Sequence, residues 1–195
     1  MDKRSQIEFF DQIAGEWDSV FPCNESKLRC LTELCELKEG ARILDAACGT
    51  GTMEAFLLEK KPSYVLGVDF SPNMIEIAKS KCKDSRIELR CCDVMELSDA
   101  VFDCAIVLGA FSYFENRGSL IRQLHCLLAT GGRMMICHVP GHSDMTAHYG
   151  AAAAQLSMPL PAAKILTNSL EPFFDIDTII DTPELYVVSG VKKLL

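Results

Sequence analysis

No uninterrupted apolar stretch in this 195-residue chain approaches the ~20 residues that cross a bilayer. The opening Met1-Asp2-Lys3-Arg4 leads into mixed charge instead of the apolar core of a secretory signal. A soluble cytoplasmic protein without a membrane partner is expected. Basic charge is scarce as well: 19 Lys and Arg stand against 27 Asp and Glu, a formal net charge of −8. A polyanion must be met by a field of cations that displaces its counterions, so a small molecule is favoured over a nucleic acid as partner. The densest basic cluster, Lys79-Ser80-Lys81-Cys82-Lys83, falls where a helix should end, and cations suit a last helical turn. There are ten cysteines but no C-x-x-C pair. Spread through apolar runs at Cys91, Cys104, Cys126 and Cys137, they read as buried, reduced thiols. Repeats, linkers and low-complexity tracts are missing too, apart from Ala151–Ala154, which reads as helix interior. With 49% hydrophobic and 24% charged residues, the chain suits one globular domain over 1–195, a monomer or homodimer.

What is present centres on Ile43-Leu44-Asp45-Ala46-Ala47-Cys48-Gly49-Thr50-Gly51-Thr52. An apolar run ends on a carboxylate, and small residues with two glycines then lead into an amphipathic segment. That is a buried strand, a tight turn and a helix start, in which glycines let a ligand lie against bare backbone. A second strand, Tyr64-Val65-Leu66-Gly67-Val68-Asp69, ends on another acid 18 residues after Gly51, a distance that suits a ribose diol. Dinucleotide enzymes also place a Gly-rich turn here. Their G-x-G-x-x-G, however, needs a third glycine or alanine where this chain has Glu54.

Around that motif, apolar spacing predicts helices over Ser5–Asp18 and Glu25–Leu37, then alternating strands and helices. The strands are Arg42–Ala46, Val65–Asp69, Ile87–Cys91, Phe102–Leu108 and Arg133–His138; the helices are Met53–Lys60, Pro72–Lys81 and Ser119–Leu128. Ser71-Pro72 is a helix cap with proline at the first position, and Thr130-Gly131-Gly132 is a turn. Such alternation implies a parallel sheet covered on both faces. Phe173–Ile180 and Leu185–Val191 are separated by too few residues for a crossover and must form an antiparallel hairpin. The chain divides into N-terminal helices (1–40), a ligand-binding core (41–140), a cover (141–170) and the hairpin (171–195).

With Leu44-Asp45-x-x-Cys48-Gly49-Thr50-Gly51, the sequence resembles the class I S-adenosylmethionine-dependent methyltransferases, in the form of small bacterial methyltransferase domains. The resemblance implies an α/β three-layer sandwich with a seven-stranded, mostly parallel sheet of order 3-2-1-4-5-7-6, strand 7 antiparallel, under an N-terminal helical lid. It implies S-adenosyl-L-methionine as cofactor and S-adenosyl-L-homocysteine as product. Asp45 would face the cofactor's ammonium, with Ala46, Cys48, Gly49 and Gly51 passing close beneath. Asp69 would bind the ribose and Phe70 lie along the adenine, with Met74 continuing the family's Ser-x-x-Met helix opening. Cys92-Asp93-Val94 would meet the adenine edge, and Leu108 and Gly109 the methionine end. Phe111 and Tyr113 would stand before the methyl group. Phe9-Phe10-Asp11-x-x-Ala14-x-x-Trp17-Asp18 resembles the family's lid, with Phe10 and Trp17 facing the substrate, although the same spacing serves an ordinary core helix.

The reaction class dictates no catalytic residue, because the cofactor carries the difficult chemistry. His138 is the candidate base, and His138 and His148 would face the substrate; packing histidines are the competing reading. His138, His142, Asp144 and His148 could approach one ion, but Pro140-Gly141 forbids the helix that would align them, so no metal is expected. The expected function is methyl transfer by in-line displacement to a small, partly hydrophobic acceptor. The alternatives are a non-catalytic S-adenosylmethionine-binding protein and an NAD-type oxidoreductase, the latter disfavoured by Glu54 and by the antiparallel end of the sheet.

Overall fold

On the first strand, β1 (Arg42–Ala46), Ile43, Leu44 and Ala46 have no exposed surface although they point to opposite faces. A strand apolar on both sides belongs in the middle of a covered parallel sheet, and the computed structural model, which describes residues 2–98, 101–139 and 156–194, places it there. Six further strands complete the sheet: β2 (Tyr64–Asp69), β3 (Ile87–Cys91), β4 (Phe102–Leu108), β5 (Leu128–His138), β6 (Phe174–Asp181) and β7 (Tyr186–Lys192). Their order is β3-β2-β1-β4-β5-β7-β6. β1 to β5 are parallel, and β7 runs antiparallel between β5 and β6.

The pleat sorts the core into two layers. Ile43, Val65, Ile106 and Met135 face α3 (Glu25–Leu34) and α4 (Glu54–Leu58), meeting Leu28, Leu31 and Leu57. Leu44, Leu66, Ala105 and Met134 face α6 (Arg117–Leu127) and α7 (Ala163–Leu170), meeting Leu120, Leu124 and Leu166. α5 (Pro72–Lys81) begins where Ser71 Oγ accepts from Met74 N at 3.2 Å, with Pro72 in the first turn. Among the described residues, no helix is long and apolar enough to cross a membrane.

Several expectations shift. The first helix is broken into α1 (Lys3–Ile13), a 3-10 turn (Ala14–Glu16) and α2 (Trp17–Val20), at Gly15, the poorest helix former in the segment. Thr130-Gly131-Gly132 is part of β5 rather than a connecting turn. Pairing jumps from Phe102↔Leu128 to Cys104↔Arg133, and Gly131, at φ +73°, absorbs the extra residues as a bulge. Cys91 and Cys126 are exposed, Cys91 because β3 is an edge strand; Cys104 and Cys137 are buried as expected. The cover contains α7, which the sequence reading did not assign although Ala163, Leu166 and Leu170 have helical spacing. The helix expected at Ala151–Ala154 lies outside the described residues.

Candidate active site

At the carboxyl ends of β1, β2 and β4 a cleft opens, as it does at the switch point of an open parallel sheet. Its floor is the turn after β1. Cys48 N donates to Val68 O at 2.9 Å and Gly51 N to Cys48 O at 3.0 Å, which folds the turn back on itself. Gly49 adopts φ +54° with open space where a side chain would stand. Gly51, at φ +77°, does something else: a Cβ there would meet Cys82 Sγ at 3.1 Å and Ala78 Cβ at 3.2 Å. The two glycines therefore divide the work. Gly49 leaves room on the cleft side, while Gly51 lets α5 pack under the turn and does not line the cleft.

Three carboxyls gather at this floor. Asp69, at the tip of β2, accepts from Gly49 N at 3.0 Å with one oxygen and from Ser71 N at 2.8 Å with the other, stapling the turn to the second strand. Burial pushes its pKa up to about 6, against the pull of those two donors. Asp45 is almost fully buried, and its Oδ1 has no hydrogen-bond partner among the described residues. Its pKa is raised well above the carboxylate range, first by burial and then by Glu54 and Asp69. Glu54 was read only as a mismatch to the dinucleotide pattern, yet it is completely buried with neither oxygen partnered, and burial pushes it up to about 7. The signal for it was an acid within Met53-Glu54-Ala55-Phe56-Leu57, a run otherwise apolar.

Of the other expected positions, Cys48, Phe70, Met74, Asp93, Leu108, Gly109, Phe10, Trp17 and Tyr113 line the cleft together with Asp45, Gly49 and Asp69. Asp93 accepts from Met95 N at 2.9 Å and pairs with Lys3 Nζ at 2.8 Å. Gly109, at φ +70°, turns the chain after β4 and donates its N–H to Cys137 O at 2.8 Å. Ala46, Cys92, Val94, Phe111 and His138 do not line the cleft. Ala46 and Val94 are core residues, and Ala47 lines the floor in place of Ala46. Cys92 packs against that same core, and Phe111 is buried beneath the Arg117 guanidinium, 5.0 Å above its ring. His138 is fully enclosed, its ring edge-on to Tyr186 at 5.8 Å. Burial, then the charge of Arg117, hold its pKa down to about 3, and its ring stands outside the cleft lining that a base would have to reach. His148, His142 and Asp144 lie outside the described residues. Among the described residues no three His, Cys, Asp or Glu side chains are grouped to hold a metal.

The N-terminal segment covers the cleft and ties itself to each loop of the rim. Gln6 Nε2 donates to Tyr113 O at 2.9 Å; Asp11 accepts from Ser71 Oγ at 2.5 Å and Asn73 N at 3.1 Å; Asp18 accepts from Thr50 Oγ1 at 2.5 Å and Lys81 Nζ at 2.6 Å. Phe10 packs against Phe9, Trp17, Phe70 and Tyr113, with ring centroids 4.9–5.9 Å away. Lid and core are thus one set of contacts: the aromatic cluster is both the packing of this segment and the roof of the cleft.

This strand order, with an acid and a glycine turn after the first strand and an acid at the tip of the second, defines a Rossmann-like sheet of the methyltransferase kind. Residues 43–132 match the family model described as a methyltransferase domain. A demethylmenaquinone methyltransferase from Thermus thermophilus is 30% identical over 141 residues, 67% of this chain and 64% of the relative. The chain therefore spans just under two thirds of that curated protein. In fold it is similar to a chain from the complex of the Haloferax volcanii Trm112 methyltransferase activator (TM-score 0.78, 15% identity, 94% of this chain and 97% of the other). It is similar, too, to magnesium protoporphyrin IX methyltransferase from Synechocystis with bound S-adenosylhomocysteine (TM-score 0.75, 17% identity, 99% and 100%). Residues 43–132 are thus matched as a methyltransferase domain, and the chain as a whole has the fold of the methyltransferases it resembles.

Proposed function

We propose that this protein is an S-adenosylmethionine-dependent methyltransferase acting on a small-molecule acceptor. One observation carries the reading: Asp45 brings a buried, unpartnered carboxyl oxygen to the floor of a cleft, beside a glycine turn with open space above it. A buried acid without a partner is costly, and a ligand ammonium removes the cost. The residues fit the cofactor in other respects. Asp69 would accept from two ribose hydroxyls and Asp93 from the adenine amino group, while Gly49 leaves the backbone bare. Asp69 and Asp93 against Lys3 leave the cleft lining acidic, which favours a cation.

When bound, the cofactor supplies a methyl group on positively charged sulfur, open to any nucleophile held in line. The work left to the chain is to bind, orient and keep water out. Phe10, Trp17 and Tyr113 form the apolar roof that excludes water, and their π faces suit a positive charge nearby. Among the described residues no side chain lining the cleft is assigned as base, and the reaction needs one only if the acceptor arrives protonated. The acidic composition, 27 Asp and Glu against 19 Lys and Arg, supports a cytoplasmic protein with neither nucleic acid nor membrane as partner.

Calorimetric titration with S-adenosylmethionine, S-adenosylhomocysteine and NAD tests the reading. Both sulfur compounds should bind and NAD should not. A protein that binds NAD and neither of the others has been misread. A methyl-release assay over a metabolite panel then separates an enzyme from a protein that only holds the cofactor.

A further inference from the structure

Eight buried side-chain nitrogen and oxygen atoms lack a hydrogen-bond partner among the described residues, and they fall into two groups. Three belong to Asp45 and Glu54 at the cleft floor. The other five are Ser112 Oγ, Arg117 Nε, His138 Nδ1 and Nε2, and Tyr186 OH. These four residues come from four places in the chain: the 3-10 turn Phe111–Tyr113, the start of α6, the end of β5 and the start of β7. The fold brings them together. His138 and Tyr186 are register partners whose rings meet edge-on at 5.8 Å. Arg117 lies over the ring of Phe111, the neighbour of Ser112, and its charge acts on both His138 and Tyr186.

Native interiors hold few such orphans, because a buried polar atom left without a partner is costly. Five orphaned atoms on adjoining segments are what a bound ligand would complete. Its place supports this. Tyr113 and Val139, the chain neighbours of Ser112 and His138, line the cleft, as do Asn116 and Ser119 on either side of Arg117. The cluster therefore stands directly behind the cleft wall. Part of its cover is the segment 156–160, held by Met158 N donating to Ser112 O at 2.8 Å and by Arg117 Nη2 donating to Met158 O and Pro159 O at 3.2 and 2.9 Å.

The donors decide the ligand class. Arg117 brings one positive charge and a free N–H, Ser112 and Tyr186 bring hydroxyls, and a neutral His138 brings one ring N–H. One charge with several convergent donors matches a carboxylate. A phosphate dianion would leave a charge uncompensated in a buried place. Asp181, which faces Tyr186 in register, is already engaged by Ala163 N at 2.8 Å. We propose that Ser112, Arg117, His138 and Tyr186 form the site for a carboxylate carried by the methyl acceptor. This rests on the methyltransferase reading for the word acceptor, but the carboxylate site can be tested separately.

The test uses the full chain with ¹⁵N-labelled histidine, with and without saturating S-adenosylhomocysteine, titrated with acetate, butyrate and benzoate and with their amides. His138 is assigned through His138→Asn. At least one carboxylate should shift the His138 ring signals saturably while its amide does not, and Arg117→Met should weaken that response about tenfold or more. Tyr186→Phe keeps the ring against His138 and removes only the orphaned hydroxyl. It should weaken the response and also raise the melting temperature of the free protein, by about 2–4 °C. Absence of any carboxylate response, an equal response to the amides, or a response unchanged in Arg117→Met overturns the site. So does a lower melting temperature for Tyr186→Phe, which would mean that the hydroxyl already has a structural partner such as buried water. Failure to bind S-adenosylhomocysteine with the carboxylate response intact would instead overturn the cofactor reading and leave the site standing.

Discussion

The two groups of unpartnered buried atoms lie at the same end of the sheet but on opposite faces and with opposite charge. Asp45 and Glu54 sit on the α3–α4 side, where Asp45 follows the pleat of Ile43; His138 and Tyr186 sit on the α6–α7 side with Ile136 and Val188. The first group is acid beside acid: burial raises both carboxyls, Glu54 against the pull of Lys81 and nearby backbone N–H groups, and Asp45 with no such relief. The second has a guanidinium and neutral donors, and wants an anion. Between them runs a cleft whose lining is acidic. An enzyme that has to hold a cationic compound and a second reactant in one cleft gains orientation from such a division. Each partner satisfies one group and is repelled by the other. The comparison breaks if substitutions on the acidic side leave binding of the cationic ligand untouched.

Asp69→Ala should have the largest effect. It removes the acceptor proposed for two ribose hydroxyls and also releases Gly49 N and Ser71 N, which Asp69 now holds. Hydrogen bonds to a charged group are worth about 1.5–3 kcal/mol each, so S-adenosylhomocysteine should bind about a hundredfold more weakly or worse by calorimetry. Circular dichroism must show that the variant remains folded. Asp69→Asn keeps one acceptor and should fall between the variant and the parent. An Asp69→Ala protein with parental affinity would remove the ribose from this strand tip.

Phe10→Ala comes next, because it tests whether the aromatic roof is packing alone. Phe10 is nearly buried among four aromatic rings. Its truncation should cost about 3 kcal/mol of local packing, loosening the N-terminal segment. Stopped-flow displacement should then show S-adenosylhomocysteine leaving about tenfold faster or more, with Asp45 and Asp69 intact. Unchanged dissociation would make the segment a bystander. Asp45→Asn is milder still. It keeps the shape and removes the charge proposed to face the ammonium in the complex, and it should weaken binding by about tenfold.

How these two regions differ also explains what the sequence could reveal. The acidic side was largely readable, because it is built from one contiguous strand–turn–helix unit and its acids stand at strand tips. Asp45, Gly49 and Asp69 stood out by spacing, as did all seven strands; the strand order came from the family resemblance, since spacing alone does not fix it. Gly51 was misread because a glycine required for helix packing looks the same in sequence as one required for ligand approach. The cationic side is assembled from positions 112, 117, 138 and 186, separated by up to 74 residues, and no local pattern joins them. His138 was noticed, but as a base facing the cleft; its enclosure by Tyr186 and Arg117 depends on the register of β5 with β7, which the sequence does not state. Glu54 was hidden differently. An acid near a helix start is ordinary, and only the packing of α4 against β1 and β2 shows that a Cβ at Gly67 would stand 2.9 Å from its Oε1.

Glu54 supplies the smallest effect on ligand binding and the sharpest test of the acidic side. It does not line the cleft, so Glu54→Gln should change S-adenosylhomocysteine affinity by no more than about threefold, the scale of an indirect coupling. Its effect on stability depends on pH, and the sign follows from burial. In the folded protein the carboxyl keeps its proton up to about 7, against an ordinary value of 4.5 in the unfolded chain. Between those values the folded state binds more protons than the unfolded one, so stability declines as pH rises and levels off above 7. Asp69, raised to about 6 from 3.8, bends the curve the same way over a lower window. The parent, free of ligand, should therefore melt at a lower temperature at pH 8 than at pH 5. Glu54→Gln cannot ionise and should lose part of that slope, matching the parent near pH 5 and exceeding it at pH 8. If the two proteins show parallel melting curves across this range, Glu54 meets a counter-charge in the folded state, and the acidic floor is less starved of cations than its geometry indicates.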